Sequence, residues 1–159
     1  MIVVADAGPL RYLILIGQIQ VLGKLFHRVL MPESVMRELS HQKTPIQVKK
    51  WMADLPYWLE VSDAPLPILT GLDHLDEGER DAIALAQKLA VRLLLVDDAD
   101  ARVAADSFGL GVLGTVGILE RAAHLGLLSF SDSFAELEKT NFHMSAAFRQ
   151  RIRERHGLD

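Results

Sequence analysis

Three acidic residues stand directly after two aliphatic runs that are typical of buried strands. Asp6 follows the run 2–5, and Asp97 and Asp98 follow the run 93–96. Ligands of open parallel sheets gather beyond the carboxyl ends of the strands, and neighbouring strands lie about 4.8 Å apart. If these two strands are neighbours, the carboxylates meet and repel one another, and a divalent cation would relieve the repulsion. Oxygen ligands favour Mg²⁺ or Mn²⁺ over zinc.

Glu38 is a further candidate because of its place in a predicted helix, Pro32–Leu39. It falls in the last turn, where the helix dipole disfavours a negative charge. The alternative is a surface ion pair with Lys43, an interaction that contributes little to stability. On this residue alone, the two interpretations are balanced.

The helix predicted over Glu77–Ala90 carries two acids that compete for one role. Asp76 and Glu79 have the spacing of a capping box, in which each side chain accepts a hydrogen bond from the other residue's backbone amide. Residues two apart on a helix face different directions, so Glu79 and Asp81 cannot both join a cluster. Glu79 stands one turn before the apolar positions 82 and 83 and is preferred, with Asp81 as the reserve acid.

The acids after the strands also have a purely structural explanation. Asp6 precedes a helix that is predicted to begin at Pro9, and Asp98 precedes one that begins at Ala99, so both carboxylates could satisfy a helix N-terminus. Thr115 is predicted to be the N-cap of a later helix. Because both acids follow strand ends, the pattern favours a functional site over capping alone.

The elements that position these residues alternate between short strands and helices. The strand candidates are rich in branched residues and lack period-two alternation, which is typical of a parallel sheet covered on both faces. The sequence predicts an α/β fold, a three-layer sandwich whose short central parallel sheet has about 4 strands, with helices on both faces. The predicted strands are Ile2–Ala5, Val29–Met31, Leu93–Val96 and Gly111–Leu113. The other predicted helices are Pro9–Ile16, Pro45–Leu55, Ala99–Phe108, Val116–Leu125 and Ser133–Lys139.

The 159 residues fit one domain, assigned to residues 1–145 with a basic C-terminal helix or arm over 146–159 as part of it. Prolines and a glycine predict an irregular loop over 63–72. The chain has no cysteine, which excludes disulfides, thiolate zinc sites and a cysteine nucleophile. We expect a cytoplasmic protein, because no signal peptide is recognised and no apolar run approaches the roughly 20 residues that span a bilayer.

A formal net charge of −4 argues against a protein that coats nucleic acid by bulk charge, but it leaves room for a local basic patch. Four arginines fall within seven residues near the C-terminus: Arg149, Arg151, Arg153 and Arg155. They predict either a solvated terminal helix or a mobile arm that contacts RNA phosphates. The solvated helix is the commoner case.

Four segments, in this order, resemble a PIN domain and cover most of the chain. Residues 2–10 are similar to the family's opening strand and first acid, and residues 31–39 resemble its proline-started helix with the second acid. Residues 75–86 are similar to the GExxAIxLA helix of a VapC-like subgroup. Residues 94–102, followed by 114–117, look like the later strand and its sequel in the same subgroup.

The resemblance implies a Mg²⁺- or Mn²⁺-dependent endoribonuclease that cuts single-stranded RNA, often as the toxin of a bacterial toxin–antitoxin pair. It implies a catalytic and metal-binding set of Asp6, Glu38, Glu79 and Asp98, with Asp97 and Asp81 as alternative ligands. It also implies a homodimer and a small antitoxin that covers the acidic cleft. No membrane partner is expected, because no apolar run is long enough to span a bilayer.

The early helices carry more apolar residues than one helix face buries. Some of them are therefore predicted to form a homodimer or antitoxin interface, with ordinary core burial as the alternative: Leu13, Ile14, Ile16, Ile19, Val21 and Leu22.

Three other functions compete with the nuclease. A catalytically degenerate PIN fold would bind RNA or a partner without cutting. A HAD-like phosphatase would need a second aspartate at the position of Gly8, and a receiver domain would need its acid pair near the start of the fold.

Overall fold

A computed structural model describes all 159 residues and contains one five-stranded sheet. Its strands are β1 (Ile2–Ala5), β2 (Arg28–Pro32), β3 (Leu59–Ser62), β4 (Leu93–Leu95) and β5 (Gly111–Leu113). They are ordered β3-β2-β1-β4-β5 and all pairs are parallel. Strand β1 is central and pairs with β4 through Val4 and Ala5. The strands that precede Asp6 and Asp97 are therefore neighbours, as the predicted site requires.

Nine helices surround the sheet. They are α1 (Ala7–Leu15), α2 (Val21–Leu25), α3 (Glu33–Leu39), α4 (Ile46–Met52), α5 (Glu77–Lys88), α6 (Ala99–Ser107), α7 (Thr115–His124), α8 (Phe130–Glu138) and α9 (Ala146–Arg155). None of them combines the length and the apolar character needed to cross a bilayer.

Successive strand side chains enter two different hydrophobic cores, one on each face of the sheet. Val3, Ala5 and Leu95 belong to the larger core, whereas Val4 and Leu94 belong to the smaller one. Helices α5 and α6 cover the smaller core and the other seven helices contribute to the larger one. Burial on both faces explains why the strands read as continuous apolar runs.

The structure confirms the predicted three-layer sandwich, with five strands where the sequence predicts about 4. The prediction omits β3, an edge strand with exposed Glu60 and Val61, which has no apolar run to mark it. It also omits the short helix α2. The predicted helices begin and end within three residues of the observed ones, and 63–72 is irregular as predicted.

The apolar residues assigned to a dimer or antitoxin interface lie in the core of one chain. Leu13, Ile14, Ile19, Val21 and Leu22 are at most 5% exposed, and half-buried Ile16 packs against the same core. The interface prediction is therefore wrong for these residues. The physical reason is that α1 packs against α3, α4 and α7, so more than one of its faces is covered.

Candidate functional site

Asp6 stands at the carboxyl end of the central strand and begins the site. Its backbone amide donates to the carbonyl of Leu95 at 2.9 Å, which continues the β1–β4 pairing past the end of β1. The residue is also the N-cap of α1, and it is only 7% exposed. The chain thus places a carboxylate at the junction of the sheet and a helix N-terminus.

The surroundings of Asp6 disfavour a negative charge. Burial raises the pKa of its carboxyl to about 8, and the charges of Asp76, Glu79 and Glu38 act in the same direction. The Ala7 amide donates a hydrogen bond that opposes the shift. At neutral pH this carboxyl therefore binds a proton, unless a cation takes its place.

The N-terminus of α5 brings two more carboxylates to Asp6 through the predicted capping box. The Asp76 carboxylate accepts from the Glu79 amide at 2.8 Å, and the Glu79 carboxylate accepts from the Asp76 amide at 3.1 Å. Burial raises the pKa of Glu79 to about 7, and the charges of Asp76, Asp98 and Glu38 add to the rise. A Cβ on Gly78 would lie 3.4 Å from Asp6 Oδ1, which places the first turn of α5 beside this carboxyl group.

Glu38 reaches the same place from the last turn of α3. Glu38 is exposed as a residue, but partial burial of its carboxyl raises the pKa of that group. The charge of Asp76 adds to the rise, and Arg11 opposes it. Lys43 forms no ion pair with Glu38, so the surface-pair alternative does not describe this residue.

The adjacent residues Asp97 and Asp98 have different environments. Asp98 is the N-cap of α6 and accepts a hydrogen bond from the Ala101 amide at 3.0 Å. Its negative charge raises the pKa of Glu79. Asp97 instead accepts two hydrogen bonds of 2.7 Å, from the amide and from the hydroxyl of Thr115. Burial raises the Asp97 pKa, whereas these bonds and the nearby Arg102 lower it. Asp97 therefore joins the end of β4 to α7.

Thr115 is not the N-cap of α7, as the sequence predicts, but its first residue, after the N-cap Gly114. A Cβ on Gly114 would stand 2.9 Å from Asp97 Oδ1, so this glycine leaves room for the buried carboxylate. A threonine at the first helical position can present its amide and its hydroxyl to one acceptor.

Asp81, the reserve acid, lies apart from the other candidates. Its carboxylate accepts a 2.6 Å hydrogen bond from the buried Ser34 hydroxyl, and it is not among the charges that act on Asp6, Glu38 or Glu79. This geometry favours Glu79 over Asp81.

Five acids whose charges act on one another are called the acid edge: Asp6, Glu38, Asp76, Glu79 and Asp98. The sequence analysis treats Asp76 only as a helix cap and so leaves it out of the set. The capping box could have indicated that Asp76 belongs to the set, because a residue that caps α5 next to Glu79 must lie in the same surroundings as Glu79.

The acid edge has the ligand types of a hard-cation site, but its side chains are not arranged closely enough to coordinate an ion. No three acidic, histidine or cysteine side chains converge closely enough to hold an ion. The donors are all carboxylates, however, and Arg11 is the one positive charge among those that shift the pKa values of Asp6, Glu38 and Glu79. By donor type and uncompensated charge, these residues fit Mg²⁺ or Mn²⁺.

The C-terminal arginines form a docked helix instead of a mobile arm. Ile152 of α9 is 1% exposed in the larger core. Arg149 and Arg153 pair with Glu138 at 3.5 and 3.0 Å, and Arg155 pairs with Glu120 at 2.8 Å. Arg151 has no acidic partner and lies 5.8 Å from the centre of the Phe148 ring. Contact between these four arginines and RNA remains a prediction. Arg151 is the best candidate for it, because the other three are paired with glutamates.

Comparison with known proteins gives one family match. The model of the family DUF3368, described as a PIN domain, matches residues 2–158. Among solved structures, the chain is similar to a PilT N-terminus domain protein from the hyperthermophilic archaeon Sulfolobus solfataricus P2, with 14% identity and a TM-score of 0.47. That similarity covers 91% of this chain and 100% of the other. No curated protein sequence matches this chain.

Proposed function

The chain belongs to the PIN-domain family, and on that premise we propose that it is a Mg²⁺- or Mn²⁺-dependent endoribonuclease that cuts single-stranded RNA. We further propose that it acts as the toxin of a bacterial toxin–antitoxin pair. Family membership sets aside the HAD-like phosphatase and the receiver domain. The glycine two residues after Asp6 agrees with this, because a phosphatase of that class needs an aspartate there.

The observation that carries the proposal is the electrostatic state of Asp6. A carboxylate that is 7% exposed, with a pKa of about 8 and three further acids acting on it, is costly to keep unless it serves a purpose. Structural carboxylates in folded proteins normally gain a cationic partner or several hydrogen bonds. Asp6 has neither, apart from the amide of Ala7.

Asp6, Glu38, Glu79 and Asp98 are the residues that would hold the ion, with Asp76 beside them. A divalent ion bound there would supply an activated water and would neutralise charge on the phosphate. Because the pKa values of Asp6 and Glu79 are raised, both carboxyls must release protons to serve as ligands, so metal affinity should rise with pH. The uncompensated acid edge would repel RNA when no cation is bound.

The proposed partners follow from the same charges. An antitoxin that covers the acid edge would need to present a cation to it, and RNA would need cations beyond the edge, of which Arg102 and Arg151 are available. A homodimer is part of the proposal, although the early apolar residues no longer support it.

A second candidate is a PIN fold that binds RNA or a partner without cutting. The specific observation in its favour is that no three candidate ligands converge in the structure. Metal binding separates the two candidates, because the acid edge of a degenerate site would not bind Mn²⁺.

Cleavage of mixed single-stranded RNA by the purified protein, with Mn²⁺ or with EDTA, tests the proposal. Asp6→Asn is the critical variant, and Asp73→Asn is its matched control, because Asp73 is exposed. We expect cleavage that requires metal, is lost in Asp6→Asn and is kept in Asp73→Asn. Cleavage that survives in Asp6→Asn would contradict the assignment, and no cleavage by any protein would favour the degenerate candidate.

A further inference from the structure

A side cavity opens next to the acid edge, and the proposed cleavage chemistry uses only Asp98 of its lining. Its volume is about 710 Å³, within the range of small-molecule sites. It lies between α1, α6, α7, α9 and the segment 141–145. Asp98 belongs both to its wall and to the acid edge, so the cavity and the candidate cleavage site are contiguous.

One wall of the side cavity is aromatic. The Tyr12 and Phe142 rings pack edge-to-face with centroids 5.0 Å apart at 84°, and both rings are half-buried. Phe148 adds a third half-buried ring to the lining. Aromatic rings that line a groove are the kind of platform on which unpaired bases stack.

The polar lining of the side cavity combines carboxylates with hydrogen-bond donors. Asp97 accepts from Thr115 and Glu120 pairs with Arg155, whereas the Asn141 amide and Arg102 keep free donors. Tyr12 Oη donates to Asn141 Oδ1 at 2.9 Å, which orients the amide and leaves its two N–H groups without a partner. Arg102 is exposed and forms no ion pair, although it lies near Asp97. The occupant that fits such a lining has a flat apolar face, hydrogen-bond acceptors on its edge and an attached negative charge.

We propose that the side cavity binds one unpaired base of the RNA strand, with its phosphate directed towards Arg102 and the acid edge. This inference rests on the proposed ribonuclease function and specifies its substrate as a strand with a base free to leave the stack. A base paired in a duplex could not enter, so the site would select single-stranded RNA. A protein segment in the same cavity is the competing occupant that the test must detect.

The first arm of the test does not depend on cleavage. Amide resonances of residues 141–148 are followed by NMR while the full chain is titrated with AMP, CMP, GMP or UMP, and separately with ribose 5-phosphate. We expect at least one nucleotide to shift these resonances and ribose 5-phosphate to leave them unchanged. Equal shifts from nucleotide and ribose 5-phosphate, or none from either, would overturn the base site.

The second arm compares cleavage of an oligoribonucleotide with cleavage of the same strand carrying one abasic position. Asn141→Ala removes an exposed amide and Phe142→Leu removes the ring while keeping apolar volume. Gln150→Ala and Phe108→Leu are the matched controls, because neither residue lines the cavity. We expect the two cavity variants to weaken RNA binding about five- to a hundredfold and to abolish the advantage of the intact strand. The controls should behave like wild type.

The outcomes separate this inference from the proposed function. Nucleotide binding without RNA cleavage would overturn the nuclease and keep the base site. Cleavage by Asn141→Ala and Phe142→Leu at the wild-type rate and affinity would keep the nuclease and overturn the base site. If those variants lose binding of a partner protein but treat RNA like wild type, the cavity is a protein-docking site and the inference fails.

Discussion

Replacing Asp6 by asparagine should make the protein more stable, even though it removes the proposed activity. The side chain is almost isosteric, and its amide oxygen can still accept the hydrogen bond from the Ala7 amide. What the change removes is a group that folding forces to bind a proton. The pKa of Asp6 is 3.8 in an unfolded chain and about 8 in the folded protein, mainly because of burial.

The sign and size of the effect follow from this difference. Between pH 3.8 and about 8 the folded protein holds a proton that the unfolded chain has lost, so wild-type stability falls as pH rises through that window. The cost is about 1.4 kcal/mol per pH unit, or roughly 4 kcal/mol at pH 7 before relaxation and water penetration reduce it. We therefore expect Asp6→Asn to raise the free energy of unfolding by about 2–4 kcal/mol at pH 7, and by roughly 1 kcal/mol at pH 4.5.

Urea denaturation of both proteins in EDTA, across that pH range, measures the difference directly. Asp73→Asn is the control, because an exposed carboxyl should give no gain that grows with pH. The reasoning fails if Asp6→Asn is no more stable than wild type at pH 8. It fails equally if the difference between them does not widen as pH rises.

Three further changes test other parts of the site. Saturating Mn²⁺ should raise the thermal unfolding midpoint of the wild-type protein, because the ion replaces the proton on Asp6. The midpoint of Asp6→Asn should rise much less, and scanning fluorimetry measures both midpoints. Thr115→Val removes the hydroxyl that donates to Asp97 at 2.7 Å and should lower the free energy of unfolding by about 1–3 kcal/mol in urea, whereas Thr115→Ser should cost less. Asp76→Ala loses the α5 cap, which costs about 1 kcal/mol, and it also removes a charge that raises the pKa values of Asp6, Glu38 and Glu79, which offsets part of that cost. Asp76→Asn removes the same charge but keeps an acceptor for the Glu79 amide, so it should be the more stable variant; equal unfolding free energies of the two variants in urea would refute the capping role.

The strands that the sequence predicts well are those buried on both faces. Val3 and Val4 enter different cores, so the run that contains them is apolar throughout and stands out by composition. Strand β3 pairs only with β2, at the edge of the sheet, and its exposed Glu60 interrupts the apolar pattern. This strand forms because it pairs with β2, and such pairing cannot be recognised from the local composition of the sequence.

The choice between Asp97 and Asp98 shows a similar limit. The two residues are adjacent and chemically identical, so spacing alone gives them equal claims. The structure separates them because Thr115, eighteen residues later in the chain, bonds Asp97 and leaves Asp98 to cap α6 beside Glu79. A partner that distant in sequence becomes a neighbour only when β4 pairs with β5.

Capping and clustering, which the sequence presents as competing explanations of the acids, turn out to have one geometric cause. Asp6, Asp76 and Asp98 are the N-cap residues of α1, α5 and α6. In a parallel α/β sheet, a helix that follows a strand begins at the strand's carboxyl end, so N-caps collect at one edge. Each helix N-terminus favours a nearby negative charge. The raised pKa values of Asp6 and Glu79 result mainly from burial, and the charge of the cap residue Asp76 adds to both. The same topology that makes each acid a reasonable cap therefore makes the set of them a reasonable cation site.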